Sequence, residues 1–468
     1  MKILLTTPPI SLEERYGNLA GAGSAAPSLG ILLLAAVARQ QGHAVVVLEA
    51  AALNLGLEAT LAQVVAARPD VLGISSTTLS IFHASALATA AKQQLPGLRT
   101  IIGGPHVSAA PQETMQRFPA FDIAVLGEGE ATLAALLATL AGAGELAAVE
   151  GILYRDGAAL HSTAPRPFLR DLDQLPLPAW DLLEGFPGRY APAPFKVRQL
   201  PAASLVSSRG CPNHCIFCDR SVFGARCHGH SADYVVTMMQ ALHRDYGVRE
   251  FSFEDDTFVT FKKRLNEICD QLIAARMKIS WTCLGRVDHV TPENLALMQR
   301  AGCWQISFGI ESGSQLILDT IGKGVTLEQI RSAIHATRQA GILAKGFFIV
   351  GHPGETAETL RQTIDFALEL PLNDISVTML TPFPGTELYR RAAEFGSFDD
   401  DWRKLNLLNA VFIPHGLTAA DLLRAQQELT RRFYLRPRVI VDYAGRLLRN
   451  PRMLRGLLRG GRSFLKSI

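Results

Sequence analysis

Cys211, Cys215 and Cys218 fall within eight residues, spaced C-x3-C-x2-C, in the segment Ser207-Ser208-Arg209-Gly210-Cys211-Pro212-Asn213-His214-Cys215-Ile216-Phe217-Cys218. Thiolates at such short range bind metal. Iron–sulfur clusters are normally held by one thiolate for each of four irons. Three thiolates leave one iron of a 4Fe-4S cluster without a protein ligand, as a catalytic metal site keeps an open position. That iron can take a chelating substrate and pass it an electron. Structural zinc is the competing chemistry, with Cys227, His214 or His228 as fourth ligand. Zinc normally uses paired half-sites, which the uneven triplet fits less well. The remaining cysteines Cys269, Cys283 and Cys303 read as structural, although Cys283, at a strand end, could face a cavity.

A short loop can present thiols only if rigid elements hold it. The triplet follows the first of six β-rich runs: Ser204–Ser207, Phe251–Phe253, Ser280–Leu284, Gln305–Ile310, Ala344–Val350 and Ser376–Leu380. Helical stretches follow the first five, near 233–246, 261–276, 292–301, 326–341 and 356–369. Six βα units in this span predict a partial or full barrel, a (β/α)6 partial TIM barrel at residues 201–390, with functional groups at the strands' carboxyl ends. Those ends carry Glu254-Asp255-Asp256, Arg286, Glu311-Ser312 and Gly351.

The first 141 residues alternate in the same way. Runs at Ile3–Thr6, Ala44–Leu48, Val71–Ser75, Thr100–Ile102 and Ile123–Leu126 are separated by helical stretches near 28–41, 58–67, 80–94, 108–117 and 130–140. This predicts an α/β, doubly wound, Rossmann-like parallel sheet. Ligands of such sheets sit at the carboxyl ends of the strands. Here those ends carry Thr7-Pro8-Pro9, Glu49, Ser75-Ser76-Thr77-Thr78, Gly103-Gly104-Pro105-His106 and Gly127-Glu128-Gly129. Glycine lets a ligand approach the backbone and hydroxyls offer hydrogen bonds, although ordinary βα turns use the same residues. Residues 142–200 read as a connector with a hairpin and a Pro-rich stretch, and 391–468 as a helical, basic C-terminal region.

The whole is 468 residues long, 48% hydrophobic and 19% charged, which argues against wholesale disorder and for two or three domains. Its 46 basic and 43 acidic residues give a net charge of +3, too balanced for a general polyanion binder. No export signal or membrane-spanning run is visible, and seven cysteines with one concentration do not form a secreted disulfide framework. A reducing, cytoplasmic setting is expected.

The C-x3-C-x2-C loop, with aromatic Phe217 before its last Cys, resembles the signature of radical S-adenosylmethionine (SAM) enzymes. The likeness continues through Phe253-Glu254-Asp255-Asp256, which stands where that family commonly has a Gly-Gly-Glu-like motif contacting the SAM amino group. It extends to Leu284-Gly285-Arg286, Gly309-Ile310-Glu311-Ser312-Gly313 and the segment from Phe348 to Gly354. The departure from Gly-Gly-Glu leaves open which of Glu254, Asp255 and Asp256 makes the amino contact, while Arg286 can meet a carboxylate. The N-terminal region resembles the cobalamin-binding domain of cobalamin-dependent radical SAM proteins, through Pro27-Ser28-Leu29-Gly30, Ser75 to Thr78, Gly103 to His106 and Gly127 to Glu130. The Asp-x-His-x-x-Gly loop of classical cobalamin carriers is absent; Thr7 to Glu13 stands there, so cobalt without a protein histidine beneath it is expected.

The resemblance implies an enzyme holding a 4Fe-4S cluster, S-adenosylmethionine and cobalamin, reduced by an external donor of flavodoxin or ferredoxin type. It implies C-methylation of an unactivated carbon. Cyclisation, ring contraction or rearrangement without methyl transfer is the rival within the class, and a non-catalytic cobalamin sensor or carrier the rival outside it. The tail bears on the substrate. From Arg431 onward ten Arg and one Lys face Asp442 alone, and Arg446, Arg449, Arg452, Arg455, Arg459 and Arg462 recur every three or four residues among Leu and Phe. That pattern suits either a solvated helix face or contact with an anionic membrane, the latter favouring a lipid-linked substrate over other small molecules. No nucleic acid is expected, since aromatics are sparse there.

Overall fold

The computed structural model describes residues 1–142, 144–190, 192–193 and 196–449. Arg452, Arg455, Arg459 and Arg462 of the basic tail lie outside the described residues, and so do the side chains of Arg446 and Arg449.

Seven strands form the first sheet: β1 (Lys2–Thr6), β2 (Ala44–Leu48), β3 (Val71–Ser75), β4 (Arg99–Gly103), β5 (Ile123–Val125), β6 (Ile152–Asp156) and β7 (Ala159–Ser162). Their order is β2-β1-β3-β4-β5-β6-β7. The first five are parallel, and the hairpin expected in the connector continues the same sheet, antiparallel to β5. Alternation assigns side chains to faces. Ile3 and Leu5 pack under the helices Leu29–Gln40 and Glu130–Leu140, while Leu4, Leu72 and Ile74 pack against Leu57–Ala67 and Ile81–Gln94. The helix expected over 108–117 is two, Pro105–Ala109 and Pro111–Arg117. Pro111 has no N–H to continue the first helix and disfavours helical backbone at Ala110.

In the second half come β8 (Ala202–Leu205), a two-residue ladder of β9 (Ser208–Arg209) with β10 (His228–Gly229), then β11 (Glu250–Phe253), β12 (Ser280–Gly285), β13 (Cys303–Glu311), β14 (Leu343–Val350) and β15 (Asp374–Met379). Six of these make a parallel sheet, β15-β14-β13-β12-β11-β8, in unbroken sequence order. Its edge strands β8 and β15 do not pair, so the barrel is partial. Helices such as Ala232–Tyr246 and Leu327–Gln339 lay apolar faces on it, burying Val235, Met239, Ile330 and Ile334.

The C-terminal region adds an antiparallel pair, β16 (Gly396–Phe398) and β17 (Phe412–Pro414), before helices Ala419–Tyr434 and Pro437–Arg449. The loop between β16 and β17 returns to the first sheet's helices. Trp402 is 1% exposed and shares a core with Val107, Met115 and Phe118, its ring 4.3 Å from that of His106. No helix among the described residues is long and apolar enough to cross a membrane.

Candidate functional site

The loop carrying the three cysteines is fixed at both ends. Asp255, beyond β11, is 1% exposed and accepts from Ser207 N (2.7 Å), Ser207 Oγ (2.6 Å) and Ser208 Oγ (2.5 Å). Arg264 donates to Ser207 O at 2.9 Å. Asp256 takes Gly210 N at 2.9 Å, and Gly210 adopts φ +78 where a Cβ would meet Arg226 O at 2.0 Å, so only glycine fits. Further on, Ile216 N donates to Ile321 O (3.1 Å) and Leu388 N to Ile216 O (2.9 Å).

Cys215 is buried and Cys218 exposed. Hydrogen bonding with the Cys218 thiol, helped by Lys323 and Arg286 and opposed by burial, pulls the Cys215 thiol down to about 6 and pushes Cys218 up. Cys211 Sγ accepts from Asn213 Nδ2 at 3.1 Å. Among the described residues, no three His, Cys, Asp or Glu side chains converge on a single-ion site. A cubane asks for no such point, because each thiolate holds its own iron. Three thiols on one anchored loop, two of them in contact beside cations, fit that donor set. Cys227 lies near Cys211, and burial raises its thiol to about 11. Cys283 faces Cys269 and Cys303 among the barrel's packing residues rather than a cavity.

The remaining strand ends surround the loop. Arg286 pairs with Asp288 (Nε–Oδ1 3.0 Å) and donates to Lys323 O at 3.0 Å. Glu311, at φ +69, pairs with Lys323. Ser312 Oγ is 3.0 Å from Thr363 Oγ1, a contact with the next helix. Gly351 N and His352 N both donate to Glu355, whose carboxyl burial raises to about 7. Phe217 lies 6.1 Å from the His352 ring. The His352 ring is fully buried, and that burial lowers its pKa to about 3. Of the three acidic residues after β11, Asp255 is committed to the loop; Glu254 and Asp256 are exposed.

Both of these carboxylates line a cavity of about 330 Å³ between the carboxyl edges of the two sheets. Ser75, Gly103, Gly104, Pro105, Gly127 and Glu128 line its other side. The order of the first sheet reverses between β1 and β3, where an open sheet parts into a crevice. The floor is apolar, with Leu5, Ile101 and Val125, between Ile31 and Leu34 on one helix and Leu133 on another. Gly104 has φ +100, and a Cβ there would stand 2.8 Å from Ser76 O and 2.9 Å from Ser75 Oγ. This smooth, deep, largely apolar slot suits a large flat cofactor with an aromatic base.

Other expected contacts do not line the cavity. Ser76, Thr77 and Ser80 hydrogen-bond to one another. Thr78 Oγ1 holds His106 Nδ1 at 3.1 Å, and Thr114 Oγ1 its Nε2 at 3.2 Å. His106 is thereby committed, and burial lowers its pKa to about 4. Pro9 is buried behind the rim. Three charged groups at the site were not singled out in the sequence: Lys323, Arg264 and the buried Arg209. Their partners lie from 12 to 81 residues away in the chain, although Lys323 between two glycines and Arg209 just before the Gly-Cys of the loop are signals of a kind.

Residues 17–137 match the B12 binding domain family, and residues 205–367 match the Radical SAM superfamily. An uncharacterised methyltransferase of Pyrococcus horikoshii is 34% identical over 465 residues, 98% of this chain and 98% of its own. The cytidylyl-2-hydroxyethylphosphonate methyltransferase of Streptomyces wedmorensis is 30% identical over 71% of this chain and 68% of its own. The anaerobic magnesium-protoporphyrin IX monomethyl ester cyclase of Cereibacter sphaeroides is also 30% identical, over 79% of this chain and 60% of its own. Among solved structures, the radical SAM methyltransferase TsrM of Kitasatospora setae, with cobalamin and a [4Fe-4S] cluster bound, shares the fold at TM-score 0.69 and 18% identity, covering 84% of this chain and 74% of its own. OxsB, a cobalamin-dependent SAM radical enzyme, does so at TM-score 0.72 and 18% identity, over 92% and 66%. With both domain families in this order and a relative matched along nearly its whole length, the chain belongs to the cobalamin-dependent radical SAM enzymes.

Proposed function

We propose that the chain methylates an unactivated carbon, with residues 1–141 and the following hairpin seating cobalamin and residues 201–390 holding the cluster and SAM. The observation that carries this reading is the shared cavity onto which both sheets turn their carboxyl edges. When bound, the cluster supplies the electron that splits SAM, and cobalamin carries the methyl group.

Cys211, Cys215 and Cys218 are the cluster ligands in this reading. Lys323 and Arg286 favour thiolate at Cys215, as a ligand requires. Asp255 stays with the loop as its anchor, leaving Glu254 and Asp256 to meet the ammonium of SAM. The Gly103-Gly104 and Gly127 backbone, with Ser75, forms the rim of the cobalamin slot, and the apolar wall excludes water from it. His106 and Glu49 shape that rim from behind; Glu49 accepts from Ser28 N at 3.0 Å and from Thr7 Oγ1 at 3.3 Å.

Anaerobic reconstitution with iron, sulfide and hydroxocobalamin, followed by mass spectrometry of SAM-derived products, tests the assignment. Methylation yields S-adenosylhomocysteine together with 5′-deoxyadenosine. The cyclase relatives favour a second reading, ring closure without methyl transfer, in which 5′-deoxyadenosine forms almost alone. An external one-electron donor serves either reaction.

For the substrate, a lipid-linked molecule is the reading favoured by the chain's end. Leu435, Ile440 and Val441 are each more than half exposed, beside exposed Arg431, Arg432 and Arg438. Apolar and cationic groups together suit an anionic membrane surface. Unchanged liposome binding after removal of residues from 435 onward, measured against salt, discards this choice of substrate.

A further inference from the structure

Arg209 crosses between the two halves of the molecule. Its Nη1 donates to Glu128 Oε1 at 2.7 Å and to Glu130 Oε2 at 3.3 Å, and its Nη2 to Glu130 Oε1 at 2.5 Å. All three side chains are buried. Glu128 is further held by His228 Nε2 (3.1 Å) and Leu169 N (2.8 Å), and the guanidinium carbon lies 5.5 Å from the Phe223 ring. A guanidinium is a rigid planar fork, and two carboxylates on it fix both direction and distance.

The two ends of this contact belong to different cofactor seats. Glu128 and Glu130 sit in the turn after β5 that lines the cavity and starts helix Glu130–Leu140. Arg209 stands two residues before Cys211. Between them Gly210 has no freedom: its N–H is held by Asp256, and Arg226 O closes on its Cα. The turn after β5 and the base of the cysteine loop are thus joined through Arg209 and a sterically fixed Gly210.

We propose that Arg209 is the positioning residue that registers the cysteine loop against the cobalamin seat, so that filling either site tightens the other. The inference rests on the cofactor assignments above. A ligand that orders the turn orders Arg209 and the base of the loop, and the second ligand finds that ordering already done. Such coupling is reciprocal for binding.

The full chain tests it without turnover. Hydroxocobalamin is titrated by visible absorbance into iron-free protein and into protein reconstituted with iron and sulfide. In the parent, affinity is expected to be about 5-fold or more higher with the cluster present, the lower end of ordinary allosteric coupling. In Arg209→Gln the ratio falls to one, and in Arg209→Lys, which keeps the charge but loses the fork, it lies between. Hydrogen exchange of iron-free protein gives a second readout: cobalamin slows exchange at amides 210–218 in the parent and leaves them unchanged in Arg209→Gln. Should that variant fail to fold, Glu130→Gln, which keeps the Glu128 pair, must lower the ratio. A parent ratio of one, or a parent-like ratio in Arg209→Gln or in Glu130→Gln, overturns the proposal while leaving the cofactor assignment standing. Absence of any cobalamin binding overturns both.

Discussion

Lys323 Nζ lies 2.7 Å from Glu311 Oε1, with both side chains less than a tenth exposed. Glu311 holds this position at φ +69, a conformation that a side-chain-bearing residue keeps only when its surroundings dictate it. Removing one partner leaves a buried charge alone. Lys323→Met is expected to lower the unfolding free energy of the iron-free protein by about 3–5 kcal/mol in urea titrations. The double variant Lys323→Met/Glu311→Gln should recover most of it. An unaltered midpoint for the single variant contradicts the pairing.

Gly104→Ala places a methyl against Ser76 O and Ser75 Oγ at φ +100. Strain of about 1–3 kcal/mol follows, and the rim must shift. Cobalamin affinity should drop by about tenfold, while iron content after reconstitution stays at the parent level. Loss of both, or of neither, counts against the rim assignment.

Alanine in place of Cys211, Cys215 or Cys218 should abolish the brown iron–sulfur absorbance, whereas Cys227→Ala keeps it. Iron and sulfide per chain are the measurement. Equal loss in the Cys227 variant would make the site a four-thiol one, with no open iron.

Burial raises the Glu49 carboxyl from 4.5 to about 7. The folded chain then keeps a proton there that the unfolded chain releases, so stability at this residue falls as pH climbs from 4.5 to 7. Glu49→Gln removes that fall. Its advantage over the parent is expected to be absent near pH 4 and to grow to roughly 3 kcal/mol above pH 7. His106 acts with the opposite sign, since its lowered pKa makes stability rise with pH from about 4 to 6.5. The difference between the two chains across pH, in denaturant, is therefore the quantity to follow. A constant difference would mean that the Glu49 carboxyl binds its proton equally well in the folded and unfolded chains.

The strands were legible because each buries a short apolar run and ends in turn residues, which need no knowledge of the partner strand. The cysteine loop was legible because its ligands are neighbours in the chain. Arg209 was not: its carboxylates lie 81 and 79 residues earlier, and nothing local marks which arginine will meet which acid. The choice among Glu254, Asp255 and Asp256 likewise needed the fold, since only the packing of Ser207 and Ser208 commits Asp255 to the loop. The return of the segment around Trp402 escaped for the same reason, its neighbours His106 and Phe118 being remote in sequence.

Trp402→Ala should cost about 3–5 kcal/mol, as deletion of a buried large aromatic does. Limited proteolysis should then cut first among residues 396–414. A loss below about 1 kcal/mol would mean that this segment only rests on the first sheet's helices.

The placement of Trp402 also bears on how the polypeptide is made. Strands β1 to β7 emerge early from the ribosome, yet the indole that joins their helical layer is translated only after all six barrel strands. Until then Val107, Met115 and Phe118 lack the indole as a packing neighbour, and the nascent N-terminal half presents an unfinished apolar surface. The N-terminal sheet therefore completes the packing of this helical layer only after the barrel strands have been made.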